Sequence, residues 1–255
     1  METLNFTDKV VIVTGGTAGI GRGIAERFLA AGAHVVVCAR LPTDDPPAHE
    51  GRLATVLKAD VRDLDHIDAV VAETQSRFGR LDVLVNNAGG SPSADAAIAS
   101  PRFSAAIIAL NLTAPLNFSQ RANALMQQQA EGGVILNIAS VSGARPSPGT
   151  AAYGAAKAGL LNLTTSLAVE WAPRVRVNAL TVGLIRTEKS HLHYGDEAGL
   201  DAVAATVPLR RLGTPHDVAG ACLFLASPLA AWISGACLEV HGGGEAPAFL
   251  QAARS

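Results

Sequence analysis

The stretch that decides the fold is Val10-Val11-Ile12-Val13-Thr14-Gly15-Gly16-Thr17-Ala18-Gly19-Ile20-Gly21. Its first five residues are apolar or β-branched, which is typical of a strand buried on both faces in a parallel sheet. The glycines that follow permit a tight turn and let the backbone approach a pyrophosphate closely. A helix that begins there presents free N–H groups and the positive end of its dipole to phosphate oxygens. Glycine patterns are common, so the placement between the first strand and the first helix carries this prediction.

Short apolar runs alternate with helical stretches along the rest of the chain. Strands are predicted at Val10–Thr14, His34–Ala39, Thr55–Lys58, Asp82–Asn86, Gly133–Ala139, Val175–Leu180 and Cys237–Val240. Helices are predicted at Ile20–Ala31, Leu64–Arg77, Pro101–Gln129, Ala151–Trp171 and Pro215–Ala226. This alternation predicts a parallel sheet whose right-handed crossovers place helices on both faces. We therefore expect an α/β fold with one Rossmann-type, doubly wound, seven-stranded domain over residues 1–255.

Two segments break the alternation. Leu41–Arg52 contains Pro42, Pro46 and Pro47, so we expect a surface loop there and no helix. Glu188–Thr206 is polar at first and contains two glycines. Because long insertions in compact domains are often binding loops, we interpret residues 188–206 as an active-site lid, with an ordinary surface connection as the alternative.

The composition narrows the possible functions. The 255 residues have a formal net charge of −2 without a block of one sign, so neither nucleic acid nor an anionic membrane surface is an expected partner. No stretch reaches the roughly 18 apolar residues that a membrane span needs. The residues Met1–Lys9 do not resemble a signal peptide, and the three cysteines form no CxxC motif. We therefore expect a cytoplasmic protein with reduced thiols.

The end of the second predicted strand bears on the choice of dinucleotide. A carboxylate there would bind the ribose 2′-hydroxyl of NAD, whereas an arginine accommodates the 2′-phosphate of NADP. This chain has Ala39 followed by Arg40, which favours NADP and leaves NAD possible. Asp44 and Asp45 would oppose a phosphate, and a solvated surface arginine is the alternative interpretation of Arg40.

Tyr153 and Lys157 are four residues apart, which places both side chains on one face of a predicted helix. A lysine beside a tyrosine favours the phenolate and lowers a pKa that is ordinarily about 10. Lowering that pKa to about 7 requires roughly 4 kcal/mol, which Lys157 and a positively charged nicotinamide would supply together. Such a tyrosine can transfer a proton near neutral pH. Since Tyr-x3-Lys arises by chance on many helices, the pair gains its meaning from the other motifs.

Taken together, the motifs resemble those of the short-chain dehydrogenase/reductase family. The matches, in the family's order and spacing, are Thr14-Gly15-x3-Gly19-Ile20-Gly21, Asp60-Val61, Asn86-Asn87-Ala88-Gly89, Asn111, Ser140, Tyr153-x3-Lys157 and Ile185-x-Thr187. The resemblance covers essentially the whole chain. It implies an oxidoreductase that transfers a hydride between NADP(H) or NAD(H) and a ketone or secondary alcohol.

The resemblance also implies roles for single residues. Tyr153 would protonate the carbonyl oxygen, and Ser140 would hydrogen-bond the same oxygen. Lys157 would bind the nicotinamide ribose, and Asn111 would anchor a water in a proton relay, unless it is only a polar residue that kinks a helix. The cofactor contacts would be Gly15, Thr17, Gly19, Ile20, Gly21, Arg40, Asp60, Val61, Asn87, Ala88, Gly89, Tyr153, Lys157, Gly183, Ile185 and Thr187. A homotetramer, packed through the helices Pro101–Gln129 and Ala151–Trp171, is the expected assembly.

Two positions depart from the family pattern. Val182 stands where the family usually has proline, so we expect a looser turn near the nicotinamide. Ala18 stands where NADP-dependent members often carry a basic residue, which removes a second cation for the 2′-phosphate.

Several alternatives stay open. One is a 3-oxoacyl-thioester reductase within the family. Another is an enoyl-thioester reductase, but six residues usually separate its tyrosine and lysine. A silent dinucleotide sensor would not need Ser140, Tyr153 and Lys157 together, and sugar-nucleotide epimerases resemble longer chains with differently spaced glycines. His191 and His193 are more typical of a solvated loop than of metal ligands, so no metal is expected.

The expected pocket walls do not select one substrate. They are Ser91–Ser93, Ser142–Arg145 and the lid, and they mix polar and apolar residues. A β-ketoacyl thioester, a steroid or polyketide ketone and a small aliphatic alcohol all match this mixture.

Overall fold

The computed structural model describes residues 4–41, 43–246 and 249. Its strands are β1 Val10–Thr14, β2 His34–Ala39, β3 Ala48–His49, β4 Arg52–Leu53, β5 Thr55–Lys58, β6 Val83–Asn86, β7 Gly133–Ile138, β8 Val175–Val182 and β9 Cys237–Val240. Seven of them form one sheet in the order β5-β2-β1-β6-β7-β8-β9, and all its neighbouring pairs are parallel. The predicted doubly wound sheet in a single domain is confirmed.

The helices lie on both faces of this sheet. They are α1 Gly19–Ala30, α2 Leu64–Phe78, α3 Pro101–Ile108, α4 Ala114–Met126, α5 Ala151–Glu170, α6 His191–Tyr194, α7 Glu197–Ala204 and α8 Pro215–Ala226. Local signals set several ends. Asp63 accepts hydrogen bonds from two first-turn N–H groups of α2, which then ends at Gly79 in the left-handed region. Thr214 and Asp217 form a capping box at the start of α8.

Successive side chains of β1 enter two different cores. Val11 and Val13 pack with Ile24 and Phe28 of α1 and with residues of α8. Ile12 points to the opposite face and packs with residues of α2 and α4. Since strand side chains alternate between the faces of a sheet, a strand apolar at every position must be covered on both sides. This burial holds the carboxyl ends of the central strands at one edge, where the glycine turn begins.

One predicted helix is divided in two. Residues Pro101–Gln129 were expected to form a single helix, but a π-helical turn at Ala109–Thr113 separates α3 from α4. The Nδ2 atom of Asn111 donates to the carbonyl oxygen of Ile107, four residues earlier, at 2.9 Å. In a regular α-helix the backbone N–H of residue 111 would use this carbonyl, so the side chain takes its place and the turn widens.

The two irregular segments have different outcomes. The described part of Leu41–Arg52 forms no helix, as predicted, although β3 and β4 pair there as a short antiparallel ladder. Pro42, one basis of that prediction, lies outside the described residues. Glu188–Thr206 is more ordered than a polar connection, because it contains α6 and α7. Among the helices of the described residues, none has the length and apolar character to cross a membrane.

Candidate active site

The carboxyl ends of the central strands surround a cavity of about 470 Å³. Its walls come from the glycine turn, the segment after β6, the end of β7, the start of α5 and the segment after β8. Of the predicted site residues, it is lined by Gly15, Gly19, Ile20, Gly21, Asn87, Ala88, Gly89, Ser140, Tyr153, Lys157, Gly183, Ile185 and Thr187. The tertiary structure therefore brings most of the predicted residues together at one edge of the sheet.

The glycine turn forms a narrow backbone cradle at the start of α1. Gly15 and Gly19 have φ angles of +64° and +53°, which L side chains rarely adopt. A Cβ atom at Gly21 would lie 2.3 Å from the carbonyl oxygen of Gly15, so a side chain there would collide with the turn. Ala18 provides no side-chain cap for α1. The first-turn N–H groups of α1 are consequently left to bind an anion in the cavity.

Polar side chains fasten the segment after β6 to the end of β1. Thr14 Oγ1 accepts hydrogen bonds from the backbone N–H groups of Asn87 and Ala88, both at 2.9 Å. Asn87 Nδ2 donates to the carbonyl oxygen of Thr14 at 2.9 Å. The segment after β6 is thereby held in one position beside the glycine turn.

Asn111 supports the same segment from the other side. Its side chain is fully buried, and its Oδ1 accepts from the backbone N–H of Gly90 at 2.9 Å. Its Nδ2 donates to the carbonyl oxygens of Gly90 and Ile107, at 3.0 and 2.9 Å. Both amide hydrogens are thus used by backbone carbonyls. The side chain of Asn111 therefore holds the segment around Gly90, and the expected role as anchor of a relay water stays a prediction.

A chain of buried amides holds α5 against the sheet. Asn86 Nδ2 donates to Asn137 Oδ1 at 2.9 Å, linking β6 to β7. Asn137 Nδ2 then donates to Thr164 Oγ1 on α5, also at 2.9 Å. Buried polar groups that are satisfied in this way favour a single arrangement of the elements they join. They fix the helix that carries Tyr153 and Lys157.

The Ser140 hydroxyl lies near the Tyr153 phenol, and both residues line the cavity. Burial raises the pKa of Tyr153 above its ordinary value, and the nearby Ser140 hydroxyl opposes the rise. The direction is opposite to the one expected from the neighbouring lysine. Lys157 Nζ lies 5.7 Å from the centre of the tyrosine ring and donates to the carbonyl oxygen of Ile138 at 2.7 Å. The desolvation of the phenol therefore outweighs the influence of the ammonium.

Lys157 itself is almost completely buried, with 4% of its surface exposed. Burial lowers the pKa of this lysine to about 8. At neutral pH the group is still mainly protonated, so it contributes a positive charge inside the cavity.

A second cavity of about 330 Å³ continues from the first along the ends of β2 and β5. It is lined by Thr17, Arg40, Asp60 and Val61, as predicted for the adenosine end, and also by Arg62. Asp60 accepts two side-chain hydrogen bonds from Arg62, at 2.9 and 2.6 Å. Mainly because of this contact, the pKa of Asp60 falls to about 2. Ala18 supplies no cation, as expected, but the turn after β5 places Arg62 in the same cavity as Arg40.

Comparisons with known proteins identify the family. A family model described as enoyl-(acyl carrier protein) reductase matches residues 15–245. A 3α-hydroxysteroid dehydrogenase of Mediterraneibacter gnavus is 37% identical over 92% of this chain and 96% of its own length. A 3-oxoacyl-(acyl-carrier-protein) reductase of Synechocystis is 36% identical over 93% of this chain and 97% of its own length. The aldohexose dehydrogenase of Thermoplasma acidophilum superposes with a TM-score of 0.86 and 33% identity, covering 93% of this chain and 94% of that structure.

The chain belongs to the short-chain dehydrogenase/reductase family. It is accordingly an oxidoreductase of a family that uses NAD(H) or NADP(H). The activities for which these relatives are named range over steroids, acyl thioesters and sugars, so the family does not specify the substrate.

The residues of this short-chain dehydrogenase/reductase fit a dinucleotide. The backbone cradle at the glycine turn would hold the diphosphate, and the two connected cavities would take the nicotinamide and adenosine ends. Gly15, Ala88 and Gly89 line both cavities, so the path between them runs past the cradle. Within the described part of the chain, no group of three His, Cys, Asp or Glu side chains could hold a metal. The side chain of His193 lies outside that part.

For three residues of this dehydrogenase/reductase, the sequence predicted only that they belong to the lid at residues 188–206. Glu188, Lys189 and Tyr194 all belong to the expected lid and line the first cavity. Tyr194 is close enough to influence the pKa of Tyr153. In the sequence, only their position after the Ile185-x-Thr187 motif indicated that these residues lie near the cavity. Which of these side chains turn inward depends on the path of α6.

The expected loosening at Val182 is not seen. Val182 pairs with Val240 as the last residue of β8, and the next backbone N–H, of Gly183, donates to the Val240 carbonyl oxygen at 3.0 Å. The strand therefore continues to the cavity without the rigidity that a proline would supply.

Proposed function

We propose that this protein is a ketone reductase and secondary-alcohol dehydrogenase in which Tyr153 is the acid/base. The observation that supports this most strongly is the arrangement of Ser140, Tyr153 and Lys157 around one cavity. The Ser140 hydroxyl lies near the phenol of Tyr153, and Lys157 supplies a buried positive charge on the same helix as Tyr153. All three groups lie next to the cradle suited to a dinucleotide diphosphate.

The proton chemistry follows from the surroundings of Tyr153. Because burial raises its pKa, the phenol is protonated at neutral pH and can donate to a carbonyl oxygen. Ser140 would hold that oxygen beside the phenol. A bound nicotinamide supplies the hydride that reaches the carbonyl carbon. In the oxidation direction Tyr153 must lose its proton, which is favoured by the charge of Lys157 and by the positive charge of an oxidised nicotinamide.

Lys157 and Asn111 would have distinct supporting roles. The Lys157 ammonium bonds the carbonyl oxygen of Ile138, at the end of β7, and can still donate to ribose hydroxyls with its remaining hydrogens. Asn111 holds the segment around Gly90 and does not donate to substrate or water through its side-chain amide. We therefore assign Asn111 to positioning of the cavity wall.

NADP(H) is the cofactor we propose as preferred. Arg40 and Arg62 line the adenosine cavity together and both act on Asp60, so a 2′-phosphate there would meet two guanidinium groups. Asp45, which was expected to oppose the phosphate, forms an ion pair with Arg22 at 3.0 Å. Its negative charge is thereby partly neutralised. The exposure of this end lets water screen every charge, which limits the preference.

The assembly and location that we propose are a homotetramer in the cytoplasm. Val169 on α5 and Ile108 at the end of α3 are exposed apolar residues on the two helices expected to pack against their copies. The cysteines Cys38, Cys222 and Cys237 are all unpaired, which suits a reducing compartment.

An enoyl-thioester reductase is the second candidate, since the description of the matching family model names that activity. Three residues separate Tyr153 from Lys157 here, and this spacing favours carbonyl reduction. A panel of ketones, secondary alcohols, a 3-oxoacyl thioester and a 2-enoyl thioester, tested with NADPH and NADH, distinguishes the candidates. We expect carbonyl substrates to oxidise NADPH. Turnover of the enoyl thioester alone would contradict the proposal, and so would the absence of any turnover.

A further inference from the structure

A third cavity, of about 420 Å³, lies beyond the catalytic residues. Gly183 lines both this cavity and the one that contains Tyr153, so the two adjoin. Its walls begin at Val141, the residue after Ser140. Apolar side chains of Val141, Ala144, Leu184 and Val207 form much of its surface, and Thr181 and the paired Glu239 and His241 also line it. A ligand whose carbonyl group lies at Ser140 and Tyr153 would thus extend into a largely apolar space.

The third cavity also has a charged end formed by Arg145 and Glu245. Arg145 Nη2 donates to Glu245 Oε1 in a hydrogen-bonded ion pair, and its Nη1 donates to the carbonyl oxygen of Pro146 at 3.0 Å. The two side chains are 38% and 39% exposed, so the pair is open to exchange with solvent and ligands. Among the described residues of this cavity, Arg145 alone carries a permanent positive charge.

Glu245 lies on a segment in which side chains are scarce. Gly242, Gly243 and Gly244 precede it, with φ angles of +68°, +97° and +82°. Glycine loses little by changing between such conformations, so this segment can move Glu245 without rebuilding a packed core. Tyr194 of α6 lines the catalytic cavity and is influenced by the charges of both Arg145 and Glu245. The ion pair is therefore next to the catalytic cavity as well.

We propose that Arg145 recognises a carboxylate on the substrate, and that Glu245 occupies the place of this carboxylate until the substrate binds. The substrate class is then an oxo acid or hydroxy acid with an apolar body between the reacting carbon and the acid. The inference rests on the proposed carbonyl chemistry at Tyr153. Glu245 supplies the same chemical group as the ligand, and arginine binds carboxylates with well-defined geometry.

The strength of the ion pair is consistent with this exchange. Exposed pairs of this kind contribute little to stability, so a substrate carboxylate can displace Glu245 at small cost. The Glu245 carboxylate nevertheless competes with the substrate carboxylate for Arg145. Removing that charge should strengthen the binding of acids and leave neutral ketones unchanged.

The test compares two acids with their methyl esters, 4-acetylbenzoate as a short probe and 10-oxoundecanoate as a long one. Reduction is measured as kcat/KM with NADPH, and binding is measured by calorimetry on the protein saturated with NADP⁺. In the wild type we expect at least one acid to be preferred to its ester by about tenfold. Arg145→Gln should abolish this preference and Arg145→Lys should keep part of it. Glu245→Gln should strengthen acid binding by about threefold.

Arg121→Gln is the matched control, because Arg121 forms an ion pair with Asp68 at 2.9 Å and lines none of the three cavities described above. It should leave the acid-to-ester ratio unchanged. Equal or better binding of both esters in the wild type would overturn the inference, as would an acid preference that survives Arg145→Gln. Arg145-dependent binding of an acid that is never reduced would instead contradict the proposed reaction at Tyr153 and leave the carboxylate site standing.

Discussion

The two ends of the dinucleotide cleft use charge in opposite ways. At the catalytic end, burial lowers the pKa of Lys157 to about 8 and raises that of Tyr153. At the adenosine end, a hydrogen-bonded partner, Arg62, lowers the pKa of Asp60 to about 2 although the carboxylate is partly exposed. Removal of water thus controls protonation at one end, and a neighbouring charge controls it at the other.

This difference affects how a substitution acts. A buried group has no solvent to replace a lost partner, so its removal leaves neighbouring polar atoms unsatisfied. An exposed group can be replaced by water and ions, and its contribution declines with salt. We therefore expect large effects at the catalytic end and smaller, salt-dependent effects at the adenosine end.

The largest effect is expected for Tyr153→Phe. The substitution removes the hydroxyl near Ser140 but retains the ring and its packing. Loss of a general acid lowers kcat by about a thousandfold. The protein should remain folded and bind NADPH, as measured by calorimetry and circular dichroism. A variant that kept more than about a tenth of the wild-type kcat would exclude Tyr153 as the acid.

Asn111→Ala should mainly reduce stability. It removes a fully buried side chain that bonds the N–H and the carbonyl group of Gly90 and the carbonyl oxygen of Ile107. We expect the free energy of unfolding, measured in urea, to fall by about 2–4 kcal/mol. Asn162→Ala, at an exposed position of α5, is the control and should change it by less than about 0.5 kcal/mol. Similar small changes in both variants would show that the side chain of Asn111 does not hold the cavity wall.

At the adenosine end, Arg40→Ala should weaken NADPH binding by about tenfold to a hundredfold and leave NADH binding unchanged. Arg62→Ala should weaken it by only a few fold, because Arg62 is shared with Asp60. Titrations of both variants with NADPH and NADH at low and high salt measure these affinities. The losses of NADPH affinity should be smaller at high salt. Arg52, which is exposed, bonds the carbonyl oxygen of Gly32 and does not line this cavity, provides the control variant. NADH bound as tightly as NADPH by the wild type would refute the proposed preference.

The smallest effect is a change with pH. Because the pKa of Lys157 is lowered to about 8, its positive charge is present below that pH and is lost as the pH rises through it. The kcat/KM for NADPH, which reports the free enzyme, should accordingly decline above about pH 8 by up to tenfold per unit. Tyr153 remains protonated over this range because its pKa is raised. In Lys157→Arg the charge persists, so a decline with the same midpoint in that variant would assign it to another group.

The fold was predictable from the sequence because its signals are local. Apolar runs such as Val10–Thr14 predict strands buried on both faces. Their alternation with helices leaves few possible topologies. One exception is the π-helical turn at Ala109–Thr113, which depends on a side chain bonding a carbonyl of its own helix. Such competition with the backbone has no periodic signature. The sequence alone predicted a continuous helix there.

The candidate site was predictable only where a motif marks it. The residues of the glycine turn, Ser140, Tyr153 and Lys157 were named from the sequence, and the structure gathers them around one cavity. Tyr194 and the pair Arg145–Glu245 belong to no motif. They meet because α6, the segment after β7 and the segment after β9 converge over the same space.

The sequence by itself determined the order of strands and helices and the identity of the reactive groups, since these follow from hydrophobic pattern and side-chain chemistry. Only the tertiary structure decided how strongly each of those groups is desolvated. The sign of the Tyr153 pKa shift is the clearest case, because the spacing to Lys157 suggested a lower pKa and burial produces a higher one. Desolvation depends on everything packed around a side chain, and that surrounding comes from segments far apart in the chain.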